Sequence, residues 1–239
     1  MNFAVILSGG VGNRLKGIDI PKQYYKVNDR MILSYCVETI EKSECIDAYI
    51  IAASKEWQKV IEEEVGQGKN LETGGSQKFL GFSAPGENRQ ISILNALWKL
   101  KDFAAEEDIV LIQDAVRPLA SQNLIQVCLE AASKAQGAMP VLRMADTVYY
   151  SSDGIKIDSL LDRDKILAGQ APEAFVYGAY LRANEALTED ELLRINGSSE
   201  PAIKAGMKIV LAEGDAVNFK ITTAEDLKRF EQLMRTGKS

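Results

Sequence analysis

"AVILSGGVGNRLKGIDIPKQ", residues 4–23, is an apolar β-type run that breaks into Ser-Gly-Gly-Val-Gly and then reaches Lys22 directly after a proline. A strand emptying into a glycine-rich loop lets the backbone approach a ligand closely and turns amide donors toward anionic oxygens. A dinucleotide-binding turn would read G-x-G-x-x-G, but Gly9, Gly10 and Gly12 are followed by Asn13 and Arg14, with no glycine at position 15. A P-loop would place Gly-Lys-Ser/Thr after its glycines, and no such triplet occurs. Taken alone, Gly-Gly-x-Gly more often marks a plain surface turn. Arg14 and Lys22 would add positive charge to such a loop, and it is the extended pattern around it that turns the reading toward an anion site.

Working outward, "AYIIAAS" (48–54), "DIVLIQDA" (108–115), "GAMPVL" (137–142) and "MKIVLAEG" (207–214) read as further strands. Apolar residues at three- and four-residue spacing predict helices near 31–42, 55–65, 88–101, 121–135, 173–187 and 223–235. The alternation predicts an α/β fold of three layers with a mostly parallel sheet, in a single domain over 1–239. Such sheets bind ligands beyond the carboxyl ends of their strands, where Ser8–Gly12, Asp114–Pro118 and the loop near Asp146 converge. "MADTVYYSSDGIKIDSLLDR" (144–163) alternates like a hairpin turning at Ser152–Gly154, and predicts a protruding β-arm at about 143–170. "ALTEDELLRINGSSEPAIKAG" (186–206) is helical with a polar break at Asn196–Ser199.

Composition narrows the chemistry. The 239 residues carry a formal charge of −6, which disfavours nonspecific nucleic-acid binding. No stretch has the length of a signal-peptide core or a membrane span, so a cytoplasmic protein is expected. Cys36, Cys45 and Cys128 lack metal-type spacing and read as thiols, two of them on apolar helix faces. The chain has no histidine, which removes Ser-His and Cys-His nucleophilic catalysis and most zinc sites.

"LSGGVGNRL", "PKQYYKVNDRMIL", "PGENRQISILNAL", "IQDAVRP", "ADTV" and "NFKITTAEDL" occur in an order and spacing that together are far more specific than one glycine loop. In these blocks, over about the whole chain, the sequence resembles the cytidylyltransferase family that activates 2-C-methyl-D-erythritol 4-phosphate or ribitol 5-phosphate. The resemblance implies a Rossmann-like nucleotidyltransferase fold, CTP and a polyol phosphate as substrates, pyrophosphate as product, and a homodimer formed through the β-arm. It further implies that Leu7, Ser8, Gly9, Gly10 and Gly12 wrap the triphosphate, with Arg14 and Lys22 neutralising it. Gly86, Glu87 and Ser92 would read cytosine, and Asp114, beside Ala115, would hold Mg²⁺. Arg117, Thr147, Arg163 and Gln170 would grip the polyol phosphate, with Arg163 able to reach the other subunit's site. Lys220 would stand near the reacting phosphorus, while Asp226 belongs to the start of the last helix.

The chemistry is consistent with a chain that lacks imidazole. A phosphate nucleophile, with its second pKa near 6, is already ionised at neutral pH, so alignment and charge stabilisation suffice. "DAVRP" and "KEW" lean toward the ribitol-phosphate branch. Val217 stands where the methylerythritol branch usually has Asp, leaving Asp215 as the alternative second acid. Ala171, Pro172 and Glu173 replace Thr-Pro-Gln, and Asn196, Gly197 and Ser198 replace Thr-Asp-Ala, which points to a different polyol phosphate. A methylerythritol-phosphate enzyme, a nucleotidyltransferase for another base or a sugar 1-phosphate, and a catalytically silent homologue are the alternatives.

Overall fold

Strand β1 (Asn2–Leu7) has four consecutive fully buried residues, as expected of a parallel strand covered by helices on both faces. In the computed structural model, which describes residues 1–10, 20–66 and 77–236, this strand lies inside an eight-stranded sheet. A short hairpin, β2 (Lys26–Val27) and β3 (Arg30–Met31), follows it, turning through Asn28 and Asp29 at φ 49° and 61°. Helix α1 (Ile32–Lys42) leads to β4 (Ala48–Ala52), and α2 (Lys55–Gly66) precedes β5 (Phe79–Ser83). Helix α3 (Arg89–Leu100) leads to β6 (Ile109–Asp114), and α4 (Gln122–Ser133) to β7 (Gly137–Arg143). The arm strands β8 (Val148–Tyr150) and β9 (Ser159–Leu161) then pair antiparallel. Strands β10 (Leu167–Gly169) and β11 (Glu173–Val176) return along β7. Helices α5 (Tyr177–Glu185), α6 (Glu189–Arg194) and α7 (Glu200–Lys204), strand β12 (Ile209–Glu213) and helix α8 (Ala224–Thr236) complete the chain.

Side-chain alternation along β1 sorts the two apolar layers. Ala4 and Ile6 face Leu33, Val37, Leu124 and Cys128 of α1 and α4, whereas Phe3 and Val5 face Leu97, Tyr180 and Leu192 of α3, α5 and α6. Strands β4 and β6 run parallel to β1, β5 to β4 and β12 to β7, while β10 is antiparallel to β7 and β11 to both β6 and β7. Among the described residues, no helix is long and apolar enough to cross a membrane.

The structure departs from the helix expected over 173–187. Residues Glu173–Val176 are strand β11, wedged between β6 and β7, and the helix begins only at Tyr177. Ala174 and Phe175 join opposite layers, a two-residue alternation too short to stand out from the helical spacing that follows. Strand β5 has no counterpart among the strands that the sequence predicts. Its Gly81 sits at φ 106°, and the pairing with β4 shifts register there, so the pattern a strand would show is interrupted.

Candidate active site

Leu7 and Asp114 are register partners at the carboxyl ends of β1 and β6, so the loops that follow leave the sheet side by side. The first of these is clamped by the segment after it. Gln23 Nε2 donates to Ser8 O and Gly10 O (both 2.7 Å), and Tyr24 Oη donates to Ser8 O (2.8 Å). Ser8 Oγ donates to the same phenol oxygen (3.1 Å), and the Tyr24 ring stacks on Trp57 at 4.2 Å. These bonds occupy the Ser8 and Gly10 carbonyls and the Ser8 hydroxyl, and Ser8 N–H donates to Ala52 O (2.9 Å), leaving the Gly9 and Gly10 N–H groups as what this stretch offers an anion. Lys22, half-buried, heads this clamping turn. Gly12 and Arg14 lie outside the described residues.

Gly9 is required by a close approach: a Cβ there would stand 2.2 Å from Pro85 Cβ. Pro85 opens the second loop, where a Cβ on Gly86 would meet Ile91 Cγ2 at 2.3 Å. Gly86 N–H donates to Ser92 Oγ (2.9 Å), which donates to Asn88 O (2.8 Å). The Ser92 hydroxyl thus shapes the loop from within the fold, while Glu87 projects into solvent. Asn88 caps α3 by accepting from Ile91 N–H (2.8 Å) and donates to Leu192 O (2.8 Å).

Asp114, only 6% exposed, is ringed by cations. Arg89 Nε donates to its Oδ1 (3.0 Å) and Lys220 Nζ to its Oδ2 (2.9 Å), with Arg117 Nε 3.7 Å from Oδ2. Burial works against its charge, but Arg89, Lys220 and Arg117 outweigh that and hold the carboxyl well below the usual carboxylate range. Burial likewise opposes the Arg89 charge, and Asp114 and Glu173 more than offset it. Burial pulls Arg117 below an ordinary arginine. Beneath this turn, Ala115 N–H donates to Leu7 O (3.1 Å), and Cys36 Sγ donates to Ala115 O (3.3 Å) and Arg117 O (3.4 Å). Burial lifts that thiol to about 12, so it serves as a neutral donor.

The Lys220 segment is tied to the same turn. Arg117 Nη1 donates to Asn218 O (2.7 Å), and Ile221 N–H donates to Val116 O (2.9 Å). Gln170 Nε2 donates to Asp215 O (2.9 Å) and Asn218 O (3.3 Å), while Asn218 Nδ2 donates to Ala171 O (2.7 Å). Gln170, 5% exposed, therefore acts as a brace for the loop. Asp215 Oδ1 accepts from Val217 N–H (2.8 Å), a local turn, and makes no contact with Asp114 among the described residues. Asp226 accepts from Thr222 and Thr223, fixing the start of α8. Burial works against its charge, but these hydrogen bonds lower its carboxyl to about 2.

Thr147 and Arg163 are exposed on the arm, and Arg163 Nη1 donates to Ala145 O (2.7 Å). Within one chain, no hydrogen bond or ion pair among the described residues joins them to the Asp114 cluster. Two members of that cluster escaped the sequence reading. Arg89 falls in the "PGENRQISILNAL" stretch, which assigns it no role, and Glu173 stands where the family pattern has Gln. Neither carries a local signal beyond its charge.

Asp114 supplies a hard oxygen donor, but its oxygens already face three cations, and no group of three His, Cys, Asp or Glu that could hold a metal occurs among the described residues. This donor set fits a magnesium ion that keeps several waters and is held largely by phosphate oxygens with one carboxylate.

Residues 2–236 match the protein family described as 2-C-methyl-D-erythritol 4-phosphate cytidylyltransferase (IspD). The chain is 28% identical over 237 residues to the ribitol-5-phosphate cytidylyltransferase of Streptococcus agalactiae serotype Ia, covering 98% of this chain and 95% of that one. It is 32% identical over 228 residues to the 2-C-methyl-D-erythritol 4-phosphate cytidylyltransferase of Thermotoga neapolitana, covering 95% and 94%. A crystal structure of 4-diphosphocytidyl-2C-methyl-D-erythritol synthase from Anaerococcus prevotii superposes with a TM-score of 0.79 at 22% identity, over 98% of this chain and 96% of that one.

Proposed function

The chain belongs to the 2-C-methyl-D-erythritol 4-phosphate cytidylyltransferase family, and from that premise we propose that it transfers the cytidylyl group of CTP to an alditol phosphate, ribitol 5-phosphate or a close relative. It is a nucleotidyltransferase. The observation that carries the reading is the buried Asp114 with Arg89, Arg117 and Lys220 around it, at the strand ends beside the Ser8–Gly10 loop. An ionised acceptor-phosphate oxygen forms the new bond to the α-phosphorus of CTP as the bond to pyrophosphate breaks, and no proton needs removal. The residues' work is then to bind, align and neutralise. Loop amides of Gly9 and Gly10, with Lys22 and Arg14, take the triphosphate, and Lys220 meets charge growing at phosphorus. Magnesium, held at Asp114, would supply further neutralisation of the phosphates.

Relatives with either acceptor are similar to this chain, at 28% and 32% identity, so the acceptor preference rests on the chain's own residues. "DAVRP" leans to ribitol phosphate, and Ala171 lacks the hydroxyl of the usual threonine where its carbonyl meets Asn218. Pyrophosphate release from CTP should be fastest with ribitol 5-phosphate or another pentitol or hexitol phosphate. Fastest turnover with 2-C-methyl-D-erythritol 4-phosphate, or with UTP or GTP in place of CTP, would reject it.

The same proposal includes a homodimer. Tyr149, Tyr150, Ile155, Ile157 and Leu160 are all more than half exposed on the arm, an apolar surface that a second copy would cover. Arg163 and Thr147 would then serve the partner's site. Leu160→Arg should shift the sedimentation coefficient to that of a monomer and lower turnover together. A wild-type monomer at micromolar concentration refutes the arm's role.

A further inference from the structure

Glu173, buried, and Arg89, partly buried, are the charged residues of the cluster that the transfer chemistry leaves without a task. Glu173 begins β11 opposite Ile112 of β6, and Asp114 is the next residue on that face of β6, so the two carboxylates point into the same layer. Between them lies Arg89, its Nε 3.0 Å from Asp114 Oδ1 and its Nη2 3.7 Å from Glu173 Oε1. Ser198 Oγ donates to Glu173 Oε1, and Ser198 is itself held through its carbonyl by Tyr180 Oη (2.7 Å). Glu173 Oε2 is buried without a hydrogen-bond partner among the described residues.

Resting on the proposed transfer reaction, we propose that Glu173 is a positioning residue, which through Arg89 fixes Asp114 and thereby the Lys220 and Arg117 cations that Asp114 orients. A buried carboxylate with an unpaired oxygen is costly to keep, and packing alone would be met as well by the amide of the same shape. Its charge matters because of what surrounds it. Asp114 and Glu173 face Arg89, Arg117 and Lys220 together. Without the second anion, Asp114 alone answers three cations, and Arg89 competes with Lys220 for it. Glu173 touches no substrate in this scheme.

Glu173→Gln keeps the shape and removes the charge. It should fold with an unchanged or higher melting temperature, lower kcat at least about tenfold, in line with the cost of small misalignments, and leave KM for CTP within about threefold. Ser198→Ala, which frees the Glu173 carboxylate, should move kcat in the same direction and carries the same readouts should Glu173→Gln not fold. A second readout needs no turnover: the Arg89 Nε–H resonance, assigned by its loss in Arg89→Lys, should be protected from exchange in the wild type and broadened in Glu173→Gln. If the wild type releases no pyrophosphate with any acceptor, the transfer reading fails and the resonance still decides the positioning of Arg89. A variant with wild-type kcat, or one whose Arg89 resonance is unchanged, overturns the proposal.

Discussion

Lys220→Met is expected to lower pyrophosphate release by about 10²–10³-fold, the scale on which a single charge-stabilising donor acts in the transition state. The side chain is 38% exposed, against 30% for Arg89 and 12% for Arg117, so of these three cations it is the one most open to an arriving ligand. Its backbone is held by bonds that do not involve the amine. Asn218 O receives Arg117 and Gln170, Ile221 N–H reaches Val116 O, and α8 starts on its own Thr223–Asp226 cap. Methionine keeps the apolar stem, and Asp114 retains Arg89 and Arg117. Melting should therefore fall by no more than about 4 °C, roughly 1 kcal/mol for a chain of this size. Steady-state kinetics beside a thermal melt separate the two effects. A variant that turns over at the wild-type rate would remove Lys220 from the reaction.

The parts of this fold that were readable in advance are those where one local signal spans a whole element. Residues 48–52 and 109–112 are unbroken apolar runs, and the strands they belong to, 48–52 and 109–114, are buried along their full length. Helices α1, α3, α4 and α8 lie within two residues of their expected bounds, because caps such as Asn88 and Ser121 and apolar spacing mark both ends. Strand β11 is four residues long, and its partners lie some 35 and 60 positions upstream, so nothing local distinguishes it from the first turn of α5. The site divides in the same way. Asp114 and Lys220 stand in compact motifs, and the structure joins them at 2.9 Å. Arg89 and Glu173 meet only because α3, which precedes β6, and β11, which follows it some 60 residues later, both come to the β6 end that carries Asp114. Gln23 and Tyr24 were legible as part of "PKQYY", but their use as a clamp on Ser8 depends on the stack with Trp57 from α2.

Asp114→Asn should have the larger effect on stability. The acid is buried among Arg89, Arg117 and Lys220, and neutralising it leaves three cations facing one another with only Glu173, 3.7 Å from Arg89, to oppose them. Breaking a buried ion pair by removing one partner costs about 3–5 kcal/mol, which corresponds to a melting decrease of roughly 6–20 °C in a chain of this length. Adding Lys220→Met to Asp114→Asn relieves part of that repulsion. The double variant should therefore melt above Asp114→Asn while remaining inactive, an interaction that independent sites would not show. The pH dependence has a definite sign. The folded carboxyl of Asp114 lies below its ordinary value because Arg89, Lys220 and Arg117 outweigh the effect of burial. Its contribution is complete above the unfolded value of about 3.9 and is lost as pH falls toward the lower folded value. The gap in melting temperature between wild type and Asp114→Asn should accordingly be constant near neutrality and narrow only in buffers more acidic than about pH 4. A gap that stays constant through that acidic range would mean that Asp114 is not held as a carboxylate by these cations, and an Asp114→Asn protein that melts with the wild type would show that the cluster contributes nothing to the fold.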